Sequence, residues 1–393
     1  MASDMWPAVG WEQLDWNPSS VDVEISRAEA LRQTGPYLAA VPPSIATLPL
    51  ALPAELSGEV SEATAAIARF DVEMGADLLP FSSILLRSEA AASSQIEHLT
   101  ASARAIATAE IGQGDSRNAV EVVANSRTMT SALALADHLD KRGILTMHSE
   151  LMSDRPDIAG RWRSQQVWIG RGIGGPRLAD FVPPRHALID ELMDDLVLFM
   201  GREDMPALAQ AAIAHAQFET IHPFVDGNGR VGRALVHALL RGKGVTTGVT
   251  VPVSAGLLSD VESYFGALTT YRNGDPSDII ELTAAASRLA LANARHLVSD
   301  LRSIRTSWSV RIVGRRDSAV WRAADIVLRQ PVINHGTMNT ELGITNADRY
   351  IRELTEAGIL TEFSGKHRNR LWRSVEVLDA LDRFAARAGN RGR

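Results

Sequence analysis

Residues 221–233 read Ile-His-Pro-Phe-Val-Asp-Gly-Asn-Gly-Arg-Val-Gly-Arg. One imidazole, one carboxylate, one amide, two arginines and three glycines thus fall in a short window, and an Ala/Leu-rich helical run follows at once. Glycines let backbone N–H groups approach an anion closely, and a helix start adds the positive end of its dipole. Arg230 and Arg233 stand three apart, so on one helical turn they project to nearly the same side. Guanidinium forks suit phosphate oxygens. Asp226 can hold Mg2+, a hard cation that pairs with carboxylate and phosphate oxygens, and Asn228 can donate to a phosphate oxygen. His222 is the side chain here suited to taking a proton near neutral pH. A metal, an anion cradle, charge neutralisers and a base are the parts of a phosphoryl or nucleotidyl transfer site.

Other readings of the same letters are weaker. Gly227, Gly229 and Gly232 satisfy G-x-G-x-x-G, but a dinucleotide loop needs a preceding strand inside a βαβ unit, and here a helical run and His222-Pro223 precede it. No G-x-x-x-x-G-K-[ST] loop exists. A zinc set of His215, His222 and Asp226 sits awkwardly beside two phosphate-binding arginines. A plain polar loop at a helix start leaves the concentration of functional side chains unexplained.

The stretch resembles the Fic family signature, H-x-F-x-[D/E]-G-N-G-R-x-x-R, at every fixed position. The resemblance implies a protein adenylyltransferase that moves AMP from ATP to Ser, Thr or Tyr of a protein, itself included. His222 is then the general base and Asp226 the Mg2+ ligand. Phe224, Gly227, Asn228, Gly229, Arg230, Gly232 and Arg233 form the ATP site. Ser93 to Glu97 resembles the family's inhibitory motif, [S/T]-x-x-x-E-[G/N], in which Glu97 would pair with Arg233 and block ATP; His98 stands where the family has Gly or Asn. Val167, Trp168, Ile169 and Gly170 resemble the flap that pairs with an extended target segment. Tyr264, Phe265 and Asn273 resemble the adenine-side residues, and Gly35-Pro36-Tyr37 with Pro42-Pro43 the N-terminal segment. The same site could serve the reverse reaction, removal of AMP.

The elements that must position these groups read as mainly α. The expectation is a Fic-type helical core with a β-hairpin flap, followed by a winged helix-turn-helix domain. Residues 1–110 are read as an N-terminal arm and helices including the inhibitory helix, 111–305 as the catalytic core and 317–384 as the winged helix. Residues 1–60 suggest an irregular proline-rich arm with one short helix near Ile25–Gln33. Helical periodicity marks 187–200, 207–221, 233–240, 257–271 and 276–305. Gly170 to Pro176 suggests a glycine-rich hairpin tip.

Composition fits an ordinary globular chain: of 393 residues, 45% are hydrophobic, 22% charged and only 5% aromatic. No cysteine is present, which excludes disulfides, thiolate catalysis and Cys-based zinc sites. Neither a signal peptide nor a membrane span is evident, so a cytoplasmic protein is expected. Charge is uneven. Residues 311–393 carry fifteen Lys/Arg against ten Asp/Glu in a chain of net charge −7. Arg349 and Arg352 on the third helix of that unit, with Lys366, His367, Arg368, Arg370 and Arg373 on its wing, suit duplex DNA. The alternative is a protein-docking or homodimerisation module on the same fold. A nucleotide-sensing DNA-binding regulator is therefore the competing function.

Overall fold

The computed structural model describes residues 6–17, 26–75, 78–170, 175–315, 317–364 and 369–389. In chain order its elements are β1 (Gly10–Trp16), α1 (Arg27–Gln33), β2 (Gly35–Val41), α2 (Ala54–Gly75), α3 (Leu78–Ile96), α4 (Ala103–Glu110), α5 (Arg117–Ala134), α6 (Lys141–Leu151) and α7 (Ile189–Met200). There follow α8 (Ala207–Ile221), α9 (Asn228–Gly242), α10 (Val253–Leu257), α11 (Val261–Arg272) and α12 (Ser277–Trp308). The chain ends with α13 (Ala319–Arg329), β3 (Val332–Ile333), α14 (His335–Leu342), α15 (Asp348–Glu356), β4 (Thr361–Glu362), β5 (Trp372–Arg373) and α16 (Val375–Gly389). The protein is mainly helical, as its Ala- and Leu-rich sequence requires. Its contacts group into two units, each drawn from three stretches: residues 1–64, 131–244 and 262–284, and residues 65–130, 245–261 and 285–393.

The first unit is built around α8. Every residue from Leu208 to Ile221 is buried, as expected of a helix that is apolar nearly all round. Its few polar side chains are used. Gln210 Nε2 donates to the carbonyls of Phe199 (2.8 Å), Met200 (3.1 Å) and Arg202 (3.0 Å) at the end of α7. Gln217 donates to Pro43 O and accepts from the Tyr271 hydroxyl. Helix α9 packs on α8 through Gly232, where a Cβ would stand 2.9 Å from Glu219 Oε1 and 3.0 Å from His215 Nδ1.

The N-terminal stretch differs from the irregular arm that its prolines suggest. β1 and β2 pair antiparallel from Gly10↔Val41 to Trp16↔Gly35. Burial alternates along β1, with Glu12, Leu14 and Trp16 turned inward, a period-two signal that the proline count obscures. β2 continues to the flap: Ala40 N donates to Val182 O at 2.9 Å, and Phe181 bridges Ile169 antiparallel. The flap tip at 171–174 lies outside the described residues.

In the second unit, Asp71 of α2 is 6% exposed and fastens residues 247–249. Its carboxylate accepts from Thr247 N (2.9 Å), Thr247 Oγ1 (2.6 Å), Gly248 N (3.0 Å) and Val249 N (2.8 Å). Burial pushes its pKa up, but these hydrogen bonds outweigh burial and hold it below the ordinary value. Glu89 of α3 likewise accepts from Ser254 N and Oγ at the start of α10. Helix α3 closes with a left-handed residue at His98 (φ 62°), while Leu99 N bonds Ser94 O and His98 N bonds Gln95 O. That pair of bonds is the Schellman ending. The C-terminal elements run α13, α14, a left-handed turn at Gly343, α15 and the β4–β5 pair, with strand order β3-β5-β4. Arg349 pairs with Glu353 and Arg370 with Glu362; Lys366, His367 and Arg368 lie outside the described residues.

Replacing Asp71 with Ala strands four donors and is expected to lower unfolding free energy by about 3 kcal/mol in urea titrations. Because the folded pKa is depressed, the Asp71 contribution is present above about pH 4, its unfolded value, and is lost as pH falls through the lower folded value. The Asp71→Ala deficit should therefore shrink below pH 4.

Candidate active site

Helix α8 stops at His222, which takes the left-handed conformation (φ 49°, ψ 61°) and keeps its N–H bonded to Phe218 O at 2.8 Å. A non-glycine residue there costs about 1 kcal/mol. The offset comes from Arg163, a residue 3% exposed. Its Nε donates to His222 O (2.9 Å), Nη1 to Gln165 O (2.9 Å), Nη2 to Pro184 O (2.5 Å), and its backbone N to Pro223 O (2.9 Å). A cation at a helix C-terminus also opposes the negative end of the dipole. Burial lowers the Arg163 pKa to about 10, which leaves it charged at neutral pH.

The loop after His222 is shaped from within. The Phe224 ring is fully buried, stacked on His148 at 3.7 Å and near Trp162 at 5.0 Å. Asn228 Oδ1 accepts from Phe224 N (2.9 Å) and its Nδ2 donates to Phe224 O (3.0 Å). The Asn228 amide is therefore engaged in closing the loop. Gly227 has φ +80°, and a Cβ there would stand 2.5 Å from Met152 Cε and 2.8 Å from Leu151 Cδ2. Helix α9 starts at Asn228, a turn and a half earlier than its Ala/Leu pattern suggests, because Gly227 supplies the left-handed entry. Arg230, Gly232 and Arg233 consequently lie within the helix.

Asp226 faces outward, its side chain 44% exposed. Oδ1 accepts from Gly227 N (2.6 Å) and Oδ2 from Arg155 Nη1 (2.6 Å). The Asp226 carbonyl lies 3.1 Å from His148 Nε2, and Gly160 N donates to His148 Nδ1 at 3.0 Å. These two contacts assign the Nε2–H tautomer to a neutral His148, consistent with burial that lowers its pKa to about 4. Among the described residues no group of three or more His, Asp or Glu could hold a metal by itself. One half-exposed carboxylate does fit Mg2+ that takes its other ligands from phosphate and water.

The remaining groups surround this loop. Arg230 and Arg233 are each 3% exposed, and Arg230 Nη2 lies 3.7 Å from Asp226 Oδ1. His222 Nδ1 lies 3.8 Å from Glu219 Oε2, and the imidazole is 19% exposed. Burial, then the charges of Arg163 and Arg272, lower the His222 pKa to about 3. The ring is therefore neutral at physiological pH, the form a general base needs. His215 lies beneath α9 with its pKa lowered to about 3 by burial and Arg233, and its Nε2 is 2.7 Å from the Tyr264 hydroxyl. Tyr264 is buried, whereas Phe265 and Asn273 are exposed. Val167 to Gly170 forms one side of the Ile169–Phe181 bridge. Ser93 and Glu97 belong to the other unit, Ser93 fully buried and Glu97 at the end of α3. Sequence reasoning missed His148, Arg155, Arg163, Glu219 and Arg272. Their partners are distant in sequence, or, for Glu219, one helical turn before the motif.

Residues 138–240 match the Fic/DOC family. The chain is 28% identical over 159 residues to the protein adenylyltransferase fic-1 of Caenorhabditis elegans, covering 39% of this chain and 28% of that protein. It is 30% identical over 145 residues to the protein adenylyltransferase Fic of Nematostella vectensis, covering 36% and 30%. The matched regions span less than a third of the length of these relatives. A crystal structure of a Fic family protein from Desulfovibrio desulfuricans G20 shares the fold, with a TM-score of 0.54, 23% identity, and coverage of 83% of this chain and 98% of that one.

Three neutral histidines make stability acid-sensitive. His148, His215 and His222 have folded pKa values below the unfolded value near 6.5, so unfolding takes up protons as pH falls from about 6.5 towards 4. Each contributes a slope of about 1.4 kcal/mol per pH unit. Urea titrations at pH 7, 6 and 5.5 should show the slope rising from below about one proton at pH 7 towards about three at pH 5.5, and His215→Gln should remove about a third of it. A pH-independent stability over that range would contradict the neutral assignments.

Proposed function

We propose that this chain, which carries a Fic/DOC-family domain across residues 138–240, transfers AMP from ATP to a hydroxyl side chain of a protein. The observation that carries the reading is a neutral His222, fixed at the end of α8 beside a glycine-rich helix start bearing Arg230 and Arg233. His222 takes the proton of the target hydroxyl. The oxygen bonds to the α-phosphorus of ATP, and the bond to the leaving pyrophosphate breaks. The N-terminus of α9 and the two arginines bind the polyphosphate and offset its charge. Asp226 would hold Mg2+, which when bound neutralises phosphate charge. The names of the relatives support AMP transfer as the chemistry.

Two regulatory features belong to the same reading. The first is restraint by Glu97. The Ser93–Glu97 segment ends its helix with His98 in the left-handed conformation that Gly or Asn adopts most readily. The substitution at His98 is thus compatible with the helix ending that such a motif needs. The second is the C-terminal unit, which we read as a winged helix for docking. The pairing of Arg349 with Glu353 and of Arg370 with Glu362 consumes part of its basic charge. That favours a protein partner over duplex phosphates.

With α-labelled ATP and Mg2+, Glu97→Gly should raise labelling of itself or of lysate proteins about tenfold or more over wild type, a change of roughly 1.4 kcal/mol. Adding His222→Ala should reduce labelling about a hundredfold or more. No labelling by the Glu97→Gly protein, under conditions where it binds ATP, would sink the transferase reading.

A further inference from the structure

We propose that Glu219 is a positioning residue for His222, one that stabilises the imidazole as it accepts a proton. The inference rests on the AMP-transfer reading. His222 stands near two cations, the buried Arg163 and the partly buried Arg272, whose charges depress its pKa. Both oppose the proton that a general base must receive. A hydrogen bond to the Glu219 backbone and the charge of Asp226 act the other way, and the Glu219 carboxylate stands nearer the ring: Oε2 lies 3.8 Å from His222 Nδ1 with the Glu219 side chain only 9% exposed. At that distance and burial, an ionised carboxylate acts on the imidazolium with little solvent screening.

The placement is built into the fold. Glu219 and His222 are three apart on the last turn of α8, so they share a face. The left-handed turn at His222, held by Arg163, presents the Nδ1 edge to Glu219. Nδ1 is buried, so the exposed part of the ring excludes it and Nε2 is left to meet the target hydroxyl. Gly232 makes room from the other side, since any side chain there would meet Glu219 Oε1 at 2.9 Å. The Gly232 position therefore serves the base as well as the close approach of α9.

Arg272 completes the arrangement. Burial lowers its pKa to about 10 while the charge of Glu219, then that of Tyr264, opposes the loss of its proton. Its guanidinium lies 3.7 Å from the centre of the Phe181 ring, and Phe181 pairs with Ile169 of the flap. Its backbone carbonyl also accepts from Val9 N at 2.8 Å. Glu219 thus acts on both the base and a cation stacked on Phe181, the bridge partner of Ile169. In the transfer step the hydroxyl proton passes to Nε2, the Nδ1–H edge becomes part of a cation facing Glu219, and the carboxylate stays ionised.

The test compares Glu219→Gln with Glu219→Asp in the Glu97→Gly background, reading self-labelling rates against ATP concentration and the 15N spectrum of the His222 ring. Gln keeps size and packing but removes the charge; Asp keeps the charge but shortens the side chain. The proposal expects Gln to lower the maximal rate about 30-fold or more, with the ATP concentration at half-maximal rate within about twofold of its parent. Asp should retain more activity than Gln. The His222 ring should show a protonated Nδ1 and a free Nε2 in the parent, with resonances shifted in Glu219→Gln. Equal or better activity for Gln than for Asp, or a ring spectrum unchanged by Gln, would overturn the proposal. If the Glu97→Gly parent itself labels nothing, the transfer reading falls. The ring spectrum still decides the placement of Glu219: a shifted ring supports it and an unchanged ring removes it.

Discussion

The guanidinium of Arg163 is the constraint on which the site depends. It is buried against the carbonyls of Gln165 and Pro184, and it binds the carbonyl of His222 at the end of α8. One cation thereby ends α8, holds a non-glycine residue in a left-handed turn and fixes the direction in which the chain enters the loop. Without it, the strain at His222 would have no local compensation, and the imidazole would lose its orientation. Its position also sets the electrostatics, because a positive charge so close to the imidazole disfavours a second one.

The loop from His222 to Asn228 then needs little further support. Phe224 anchors it between His148 and Trp162, Asn228 closes it through two bonds to one residue, and Gly227 turns it into α9. The result is a helix start whose neighbouring polar groups are already committed to hydrogen bonds. Preorganisation of this kind is what charge-transfer chemistry rewards, since no dipole must be reoriented as the reaction proceeds. The cost is three neutral histidines, His148 and His215 buried and His222 partly so, and several buried charges. Unfolding relieves the histidines in acid.

The candidate site groups were easier to read in the sequence than their supports. The stretch from His222 to Arg233 was legible because its chemistry is contiguous and its residue types are individually scarce. Helix α8 was legible at both ends, whereas α16, which follows the last strand, was not anticipated. Arg163 carries no such mark: its carbonyl partners include residues 21 and 59 positions away. The β1–β2 pair was hidden by prolines, although Glu12, Leu14 and Trp16 alternate inward. For Asn228 the structure adds a part that residue type does not reveal: both ends of its amide bind the backbone of Phe224. The missing Cβ of Gly232 also lets α8 and α9 close around Glu219 and His215.

The central claim is that His222 directs a protein hydroxyl to the α-phosphorus of ATP. It is tested most directly by mass spectrometry of the Glu97→Gly protein and a cell lysate after incubation with Mg2+ and isotopically labelled ATP. The account predicts an intact AMP group, carrying the adenine label, on Ser, Thr or Tyr side chains, absent when His222 is replaced by Ala. A transferred phosphate without adenine, or adducts that persist in the His222→Ala protein, would contradict it.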